Sequence, residues 1–385
     1  MSITSTISAA ATKFGADRIA ESIERFRKHA RTAVHRAEPF NAGPPADLLA
    51  RQPITPGELF FVRNHAAVPA VDAEAYRLAI RGRVAHPVNL SLAELRARFA
   101  RVTATAALQC AGLRRRELDA VRPIGNEVEW GAEPIGAAVW GGARLRDVLE
   151  AAQFSAAAQH VAFTGLDAVQ RNGDALGFGG SIPLSKALGE EVLLAYEMNG
   201  EPLEPAHGFP LRVVVPGYIG ARSVKWLGEI SVQDEPSSSY FQTNAYKVFP
   251  PEVTTESADW ASAAPLGEIL TNSAICEPRD GAAVAAGALM VRGWAIAQGT
   301  RSVESVELMV DGATRIAARF ITPAQGWSWR LWEAALELEA GAHEIAAVAT
   351  DSAGYTQPAE LAPLWNFKGY MNNAWHRVTV HAGRK

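Results

Sequence analysis

The chain has 385 residues, beyond the size at which one hydrophobic core usually keeps growing, so two or more domains are expected. Its 48% apolar and 20% charged residues and its formal net charge of −4 describe an ordinary globular protein with no excess of positive charge to attract nucleic acid. The two cysteines, Cys110 and Cys276, are too few for a disulfide framework or a zinc cluster, and the absence of a Cys-x-x-Cys-His run excludes a covalently attached c-type haem on this chain.

No stretch approaches the ~18 uninterrupted apolar residues of a membrane span. The N-terminus carries neither a twin-arginine pair nor a long apolar run ahead of Asp17, Glu21 and Glu24, so a cytoplasmic location is the default expectation, with a periplasmic one if the chain is already processed. Residues 16 to 35 place Ile19, Ile23, Phe26 and Ala30 at helical spacing, with Arg25, Arg27, Lys28 and Arg31 on the other sides. This spacing predicts an amphipathic docking helix within an N-terminal segment, 1–36. Residues 38 to 65 hold five prolines and two glycines and should run as extended or turning chain.

Between 76 and 234, apolar runs such as YRLAIRG, HVAFTG and LRVVVPG alternate with helix-like segments such as LSLAELRARF and LRDVLEAAQF, which predicts an α+β domain over 37–250. Asn199-Gly200 after VLLAYEM is a hairpin signal, since both residues tolerate positive φ, and it puts Tyr196 near a strand end. From about residue 250, VESVELMVDG, WSWRLWEAALEL and HEIAAVATDSAG read as short strands with Asp-Gly and Ala-Gly turns. A β-sandwich over 251–385 is expected.

The residues with chemical potential cluster around Cys110, which lies in ALQCAGLRRREL and is followed by Arg114, Arg115 and Arg116. Positive neighbours favour the thiolate, the form that binds a soft metal. Cys276, in NSAICEP, has no cationic run beside it and is expected to be inert.

Six blocks then fall in register across the chain: FFVRNH (60–65), CAG-x-RR (110–115), EW with IGAAVWGGARLRDVL (129–149), VLLAYEMNG (192–200), HGFPLRVVVPGYIGARSVKWLG (207–228) and WNFKGYMNNAWHRV (365–378). Together they closely resemble the sulfite oxidase family from about residue 37 to the C-terminus. The resemblance implies a molybdopterin-binding domain followed by an immunoglobulin-like dimerisation sandwich, a molybdenum-pyranopterin cofactor, and oxidation of sulfite to sulfate by oxygen-atom transfer. It implies Cys110 as the protein ligand to molybdenum. Because sulfite is a small dianion, its site should supply guanidinium groups. The family pattern assigns these to Arg63, Arg115 and Arg301, joined by Trp130 and Tyr196. Cofactor contacts fall on Phe61, Arg63, Asn64, His65, Cys110, Asp167, His207, Arg212, Ser223, Val224 and Lys225.

Two departures flank the presumed pocket: Leu113 stands where the family commonly has asparagine, and Glu133-Pro134 replaces a Gly-Ala-Ile stretch beside Trp130. The chain leaves no room for a fused haem domain before residue 37, so electrons should pass to an external acceptor, either dioxygen or a separate cytochrome c. A homodimer joined through the second domain is expected. The competing readings are a molybdenum-dependent sulfoxide reductase and a non-catalytic pterin-binding protein of the same fold.

Overall fold

The structure is a computed structural model that describes residues 15–171 and 173–383; the part of the expected N-terminal segment before residue 15 lies outside the described residues. The amphipathic helix spans Ala16–Arg25, shorter than the spacing predicted, because Arg27 turns to φ 52° and the chain leaves the helical path. Ile19, Ile23 and Phe26 pack on Val34, Phe40, Ala42, Val62 and Ala206, so the helix docks through the face expected for it. Ala30 stays exposed, and the chain continues into a strand, Ala33–Arg36, paired antiparallel with Asn41–Gly43. Among the described residues, no helix is long and apolar enough to cross a membrane.

Two sheets face each other across the first core. One orders Gly179–Pro183, His160–Gly165, Leu227–Gln233, Leu78–Gly82 and Val88–Leu90, with a parallel pairing only between Leu227–Gln233 and Leu78–Gly82. The other orders Glu201–Pro202, Leu193–Met198, Ile135–Arg144 and Val102–Gln109, with Arg212–Val214 added to Leu193–Met198. The turn between Leu193–Met198 and Glu201–Pro202 is the Asn199-Gly200 pair, at φ 55° and 84°, as the turn chemistry predicts.

The second sheet is buried on both sides. Leu194 and Tyr196 point into the inter-sheet core with Ile80, Phe163 and Ile230, whereas Leu193 and Ala195 point to the opposite face with Leu108, Cys110, Trp130 and Trp140. That alternation, the period-two property of any strand, decides which residues can reach Cys110.

Residues 234–271 contain no strand. The expected boundary at 250 falls within this stretch. From Asn272 on, two sheets form a sandwich: Asn272–Glu277, Gly287–Ile296, Arg330–Leu338 and Arg319–Phe320 against Ala282–Ala285, His376–Gly383, Gly341–Asp351, Val303–Val310 and Thr314–Ala317. Its core holds Val291, Leu308, Trp332, Ile345 and Val378. A further cluster belongs to both halves, because Leu113, Ile135 and Ile219 pack with Tyr246, Cys276, Trp294, Trp329 and Tyr370.

Candidate active site

The loop after strand Val102–Gln109 carries Cys110, and neighbouring backbone holds it from several sides. The Cys110 N–H donates to the Pro134 carbonyl (2.9 Å), Arg114 N–H to Gly131 (2.7 Å), Arg116 N–H to Trp130 (2.9 Å) and Met371 N–H to Ala111 (2.8 Å). The Gly112 N–H points at the sulfur from 3.4 Å. Cys110 is buried, yet it lies on the wall of a cavity shared with Phe61, Arg63, His65, Arg212, Lys225 and Tyr246.

The three arginines that follow Cys110 have separate fates. Arg114, fully buried and at φ 62°, crosses to the sandwich, donating to Asn272 Oδ1 (2.9 Å) and to the carbonyls of Ala374 (2.7 Å) and Trp375 (3.2 Å). Arg115 turns inward, donating to the carbonyls of Val128 (2.7 Å) and Lys368 (3.0 Å), 3.8 Å from Glu127 and over the Tyr370 ring. Arg116 is exposed. Arg115 does not line the cavity; it sits behind Tyr370, which stacks on the cavity-lining Tyr246 at 5.4 Å.

FFVRNH forms the opposite wall. A two-way backbone bridge between Ala42 and Val62 pins the segment, and the buried Asn41 locks its end: its Oδ1 accepts from the Asn64 N–H (2.9 Å) and from Arg63 (3.2 Å), while its amide donates to the Asn64 carbonyl (3.1 Å). Phe61, Arg63, Asn64 and His65 thereby line the cavity. His65 stacks on Phe178 at 5.0 Å and meets the Tyr246 hydroxyl through Nε2 at 2.8 Å. Burial, reinforced by Arg63, holds the His65 imidazolium well below the ordinary histidine range, and burial pushes the Tyr246 hydroxyl up to about 12. The pair is therefore a neutral imidazole beside a protonated phenol.

HGFPLR and ARSVKW supply the third side. Arg212 donates to the His207 carbonyl and to the Ser223 carbonyl, both at 2.9 Å, and the Ser223 hydroxyl accepts from Val215 N–H at 3.0 Å. Lys225 donates to Asn64 Oδ1 and, at 2.8 Å, to the Ala206 carbonyl. Gly208, at φ 107°, passes so close to the Arg212 and Lys225 side chains that a Cβ there would lie 3.1 Å from each. His207, Arg212, Ser223, Val224 and Lys225 all line the cavity, with Asp167, whose Oδ1 accepts from Phe178 N–H at 2.9 Å.

All eleven residues expected to touch a cofactor thus meet on one cavity. Among the described residues, neither Arg63, Arg212 nor Lys225 has a carboxylate within ion-pairing distance, and Asp167 is the only acidic side chain on the wall. Burial without a counter-ion lowers the pKa of both Lys225 and Arg212. Such a set calls for an anionic ligand. Two buried polar atoms on the wall, Asn64 Nδ2 and Arg212 Nε, lack any protein partner, which fits a ligand rich in phosphate and pterin heteroatoms.

Besides Arg115, three more of the expected catalytic residues lie off this cavity. Tyr196 shares the face of Leu194, across the sheet from Cys110, with Arg96 4.6 Å over its ring. Trp130 is fully buried behind the cysteine loop, against His35 at 4.6 Å, and does not reach the cavity. Arg301 lines a separate cavity beside Gly217 and Trp327 and pairs with the buried Asp351 at 3.1 Å. The two departures also miss the cavity: Leu113 enters the shared core, and Glu133 binds His35 at 2.9 Å behind Trp130. Sequence reasoning missed Tyr246, which lines the cavity but lies outside all six blocks; Lys368, inside the last block, places its ammonium on Glu127 beside Arg115.

Comparisons with known proteins agree with this fold. Residues 65–241 match the family described as oxidoreductase molybdopterin binding domain, and residues 264–383 match the Mo-co oxidoreductase dimerisation domain. The chain is 45% identical to "Sulfite oxidase" of Gallus gallus over 361 residues, 91% of this chain and 78% of that protein. It is 39% identical to "Sulfite oxidase" of Arabidopsis thaliana over 379 residues, 92% of this chain and 95% of that protein. Among solved structures, the sulfane dehydrogenase SoxCD of Paracoccus pantotrophus superposes with a TM-score of 0.76 at 25% identity, covering 90% of this chain and 87% of that one. With a molybdopterin-binding domain, a dimerisation-type sandwich and relatives at this identity over nine tenths of this chain, the chain belongs to the sulfite oxidase family.

Proposed function

We propose that this enzyme oxidises sulfite to sulfate at a molybdenum-pyranopterin held in the cavity described above. The observation that carries the reading is a lone cysteine sulfur on the wall of a cavity whose cations have no carboxylate partners. When bound, the cofactor supplies two-electron oxygen-atom transfer, and the chain supplies the rest. The Cys110 thiolate is a soft donor suited to the metal. His207, Arg212, Ser223 and Lys225 offer the cationic and hydrogen-bonding groups that a phosphate needs, while Phe61 and Val224 supply apolar wall.

Arg63, coupled electrostatically to both Cys110 and Tyr246, is the guanidinium placed to draw a dianion toward the sulfur ligand. Arg115 and Lys368 add positive charge from behind Tyr370, partly offset by Glu127. Tyr246, protonated at neutral pH and hydrogen-bonded to neutral His65, can donate to a substrate oxygen. A homodimer through the second domain and an external acceptor, dioxygen or a separate cytochrome c, complete the reading; the dimerisation family of residues 264–383 supports the first. The test is metal and pterin analysis of purified protein with sulfite-dependent ferricyanide reduction. Stoichiometric molybdenum with sulfite-driven turnover is expected, and loaded protein that ignores sulfite would overturn the substrate assignment.

A further inference from the structure

The cavity's cations have a neighbour outside every matched block. Just past helix Ala16–Arg25, the chain turns at Arg27 and drives Lys28 inward until it is 7% exposed. Its ammonium meets His207 Nε2 at 2.6 Å, the Gly57 carbonyl at 2.7 Å and the Phe60 carbonyl at 3.3 Å. All three acceptors are neutral. Among the described residues no carboxylate lies within ion-pairing distance of it, and Glu204 and Glu58 act only from farther away. A buried cation satisfied in hydrogen bonds but unmatched in charge is costly unless an anion nearby offsets it.

His207 lines the cavity, and Lys28 stands behind it. An ammonium donating to Nε2 leaves the single proton of a neutral imidazole on Nδ1, so this contact sets both the tautomer and the ring's orientation. Phe60, 5.5 Å away and edge-on, closes another side of the ring. Lys28 therefore does for His207 what a supporting hydrogen-bond partner does for a ligating side chain.

Resting on the reading of this cavity as the cofactor site, we propose that Lys28 is a positioning residue for its anion-binding end: it fixes His207 from behind and adds a positive charge with no carboxylate in contact, so that the N-terminal segment helps retain the cofactor's phosphate. The segment is also fastened independently, because Arg31 pairs with Asp47 at 2.9 Å well away from the cavity lining. That second fastening supplies the control. Arg31→Met loosens the segment without touching His207, whereas Lys28→Met removes the charge and the contact.

The experiment measures molybdenum by elemental analysis and pterin by fluorescence of its oxidised derivative, during dialysis of holoenzyme at fixed temperature. Lys28→Met should lose cofactor several-fold faster than the parent, Lys28→Arg should recover most of the retention, and Arg31→Met should match the parent. Nitrogen-15 spectra of histidine-labelled protein should show the His207 ring losing its fixed tautomer only in Lys28→Met. Should Lys28→Met fold poorly, Lys28→Gln keeps two donors and removes only the charge, and carries the same comparison. Parental retention in Lys28→Met or Lys28→Gln, or equal loss in Arg31→Met, would overturn the proposal. Lys225→Ala run in parallel separates the two levels: if it too keeps its cofactor, the cavity has been misassigned, and if it alone loses cofactor, only the role of Lys28 fails.

Discussion

Arg63 and Arg212 line the cavity of the molybdopterin domain and Arg301 lines the one beside Trp327, and the difference between them lies in what faces the guanidinium. In the cavity of the molybdopterin domain, Arg63 and Arg212 donate to amide and carbonyl oxygens and have no carboxylate in reach among the described residues. In the cavity beside Trp327, Arg301 is spent on Asp351, whose carboxylate also accepts from Thr271 at 2.7 Å. A guanidinium paired with a buried acid has little positive potential left for a ligand, whereas one satisfied only by neutral acceptors keeps its charge available. Residue type and spacing do not distinguish the two cases; the partner does.

The strongest way to break this contrast is at the sulfur. Cys110→Ser should lower sulfite turnover by ~10³-fold or more, as loss of a group essential to the chemistry does, with little change in the melting temperature. Cys276→Ser should keep its activity, because burial raises that thiol far above the cysteine range and it lies in the shared core. Equal activity in the two variants would remove Cys110 from the site.

The cations come next. Lys225→Ala removes charge-assisted bonds worth about 1.5–3 kcal/mol each, so cofactor occupancy under limiting supply should fall about tenfold or more. Tyr246→Phe should lower kcat/KM about tenfold through loss of one donor, and Tyr196→Phe should leave it within about twofold. Steady-state kinetics on fully loaded protein reads both, and reversal of their order would restore Tyr196 to the site. At the small end, Arg301→Gln should cost about 1 kcal/mol of stability, since its partner carboxylate is buried but keeps other donors, while KM for sulfite stays unchanged.

A pH profile sharpens the same comparison from the cofactor-free side. Burial brings the Lys28 ammonium down from 10.5 to about 8 in the folded protein. Between those values the unfolded chain binds the proton and the folded chain does not, so stability should rise with pH across that window. Relative to Lys28→Met, the parent apo-protein should therefore gain melting temperature from pH 8 to pH 10. A flat difference would show that burial does not disfavour the Lys28 charge.

How much of this was legible in the sequence depended on whether the signal was local. The Asn199-Gly200 turn and the texture change between the two halves are carried by short stretches and appear where expected, and the residues of FFVRNH and HGFPLR expected to touch a cofactor line one cavity. Tyr196 failed because its neighbour Ala195 does face the Cys110 side, and a one-residue difference in a strand is a difference of face. Arg301 failed because its partner is 50 positions away. Tyr246 escaped notice because it sits in the strand-free stretch 234–271, where no periodicity marks what a side chain faces.

The reach of Arg114 into the sandwich bears on how such proteins can change over time. Its guanidinium is held by Asn272, Ala374 and Trp375, its carbonyl accepts from Asn372, and the backbone beside Cys110 leans on Met371. The loop that presents the sulfur is thus built partly from residues more than 250 positions downstream. A lineage could not exchange the second domain for another oligomerising module without also rebuilding the floor under its cysteine. By strand pairing the chain has two parts, but by inheritance they are constrained to travel together.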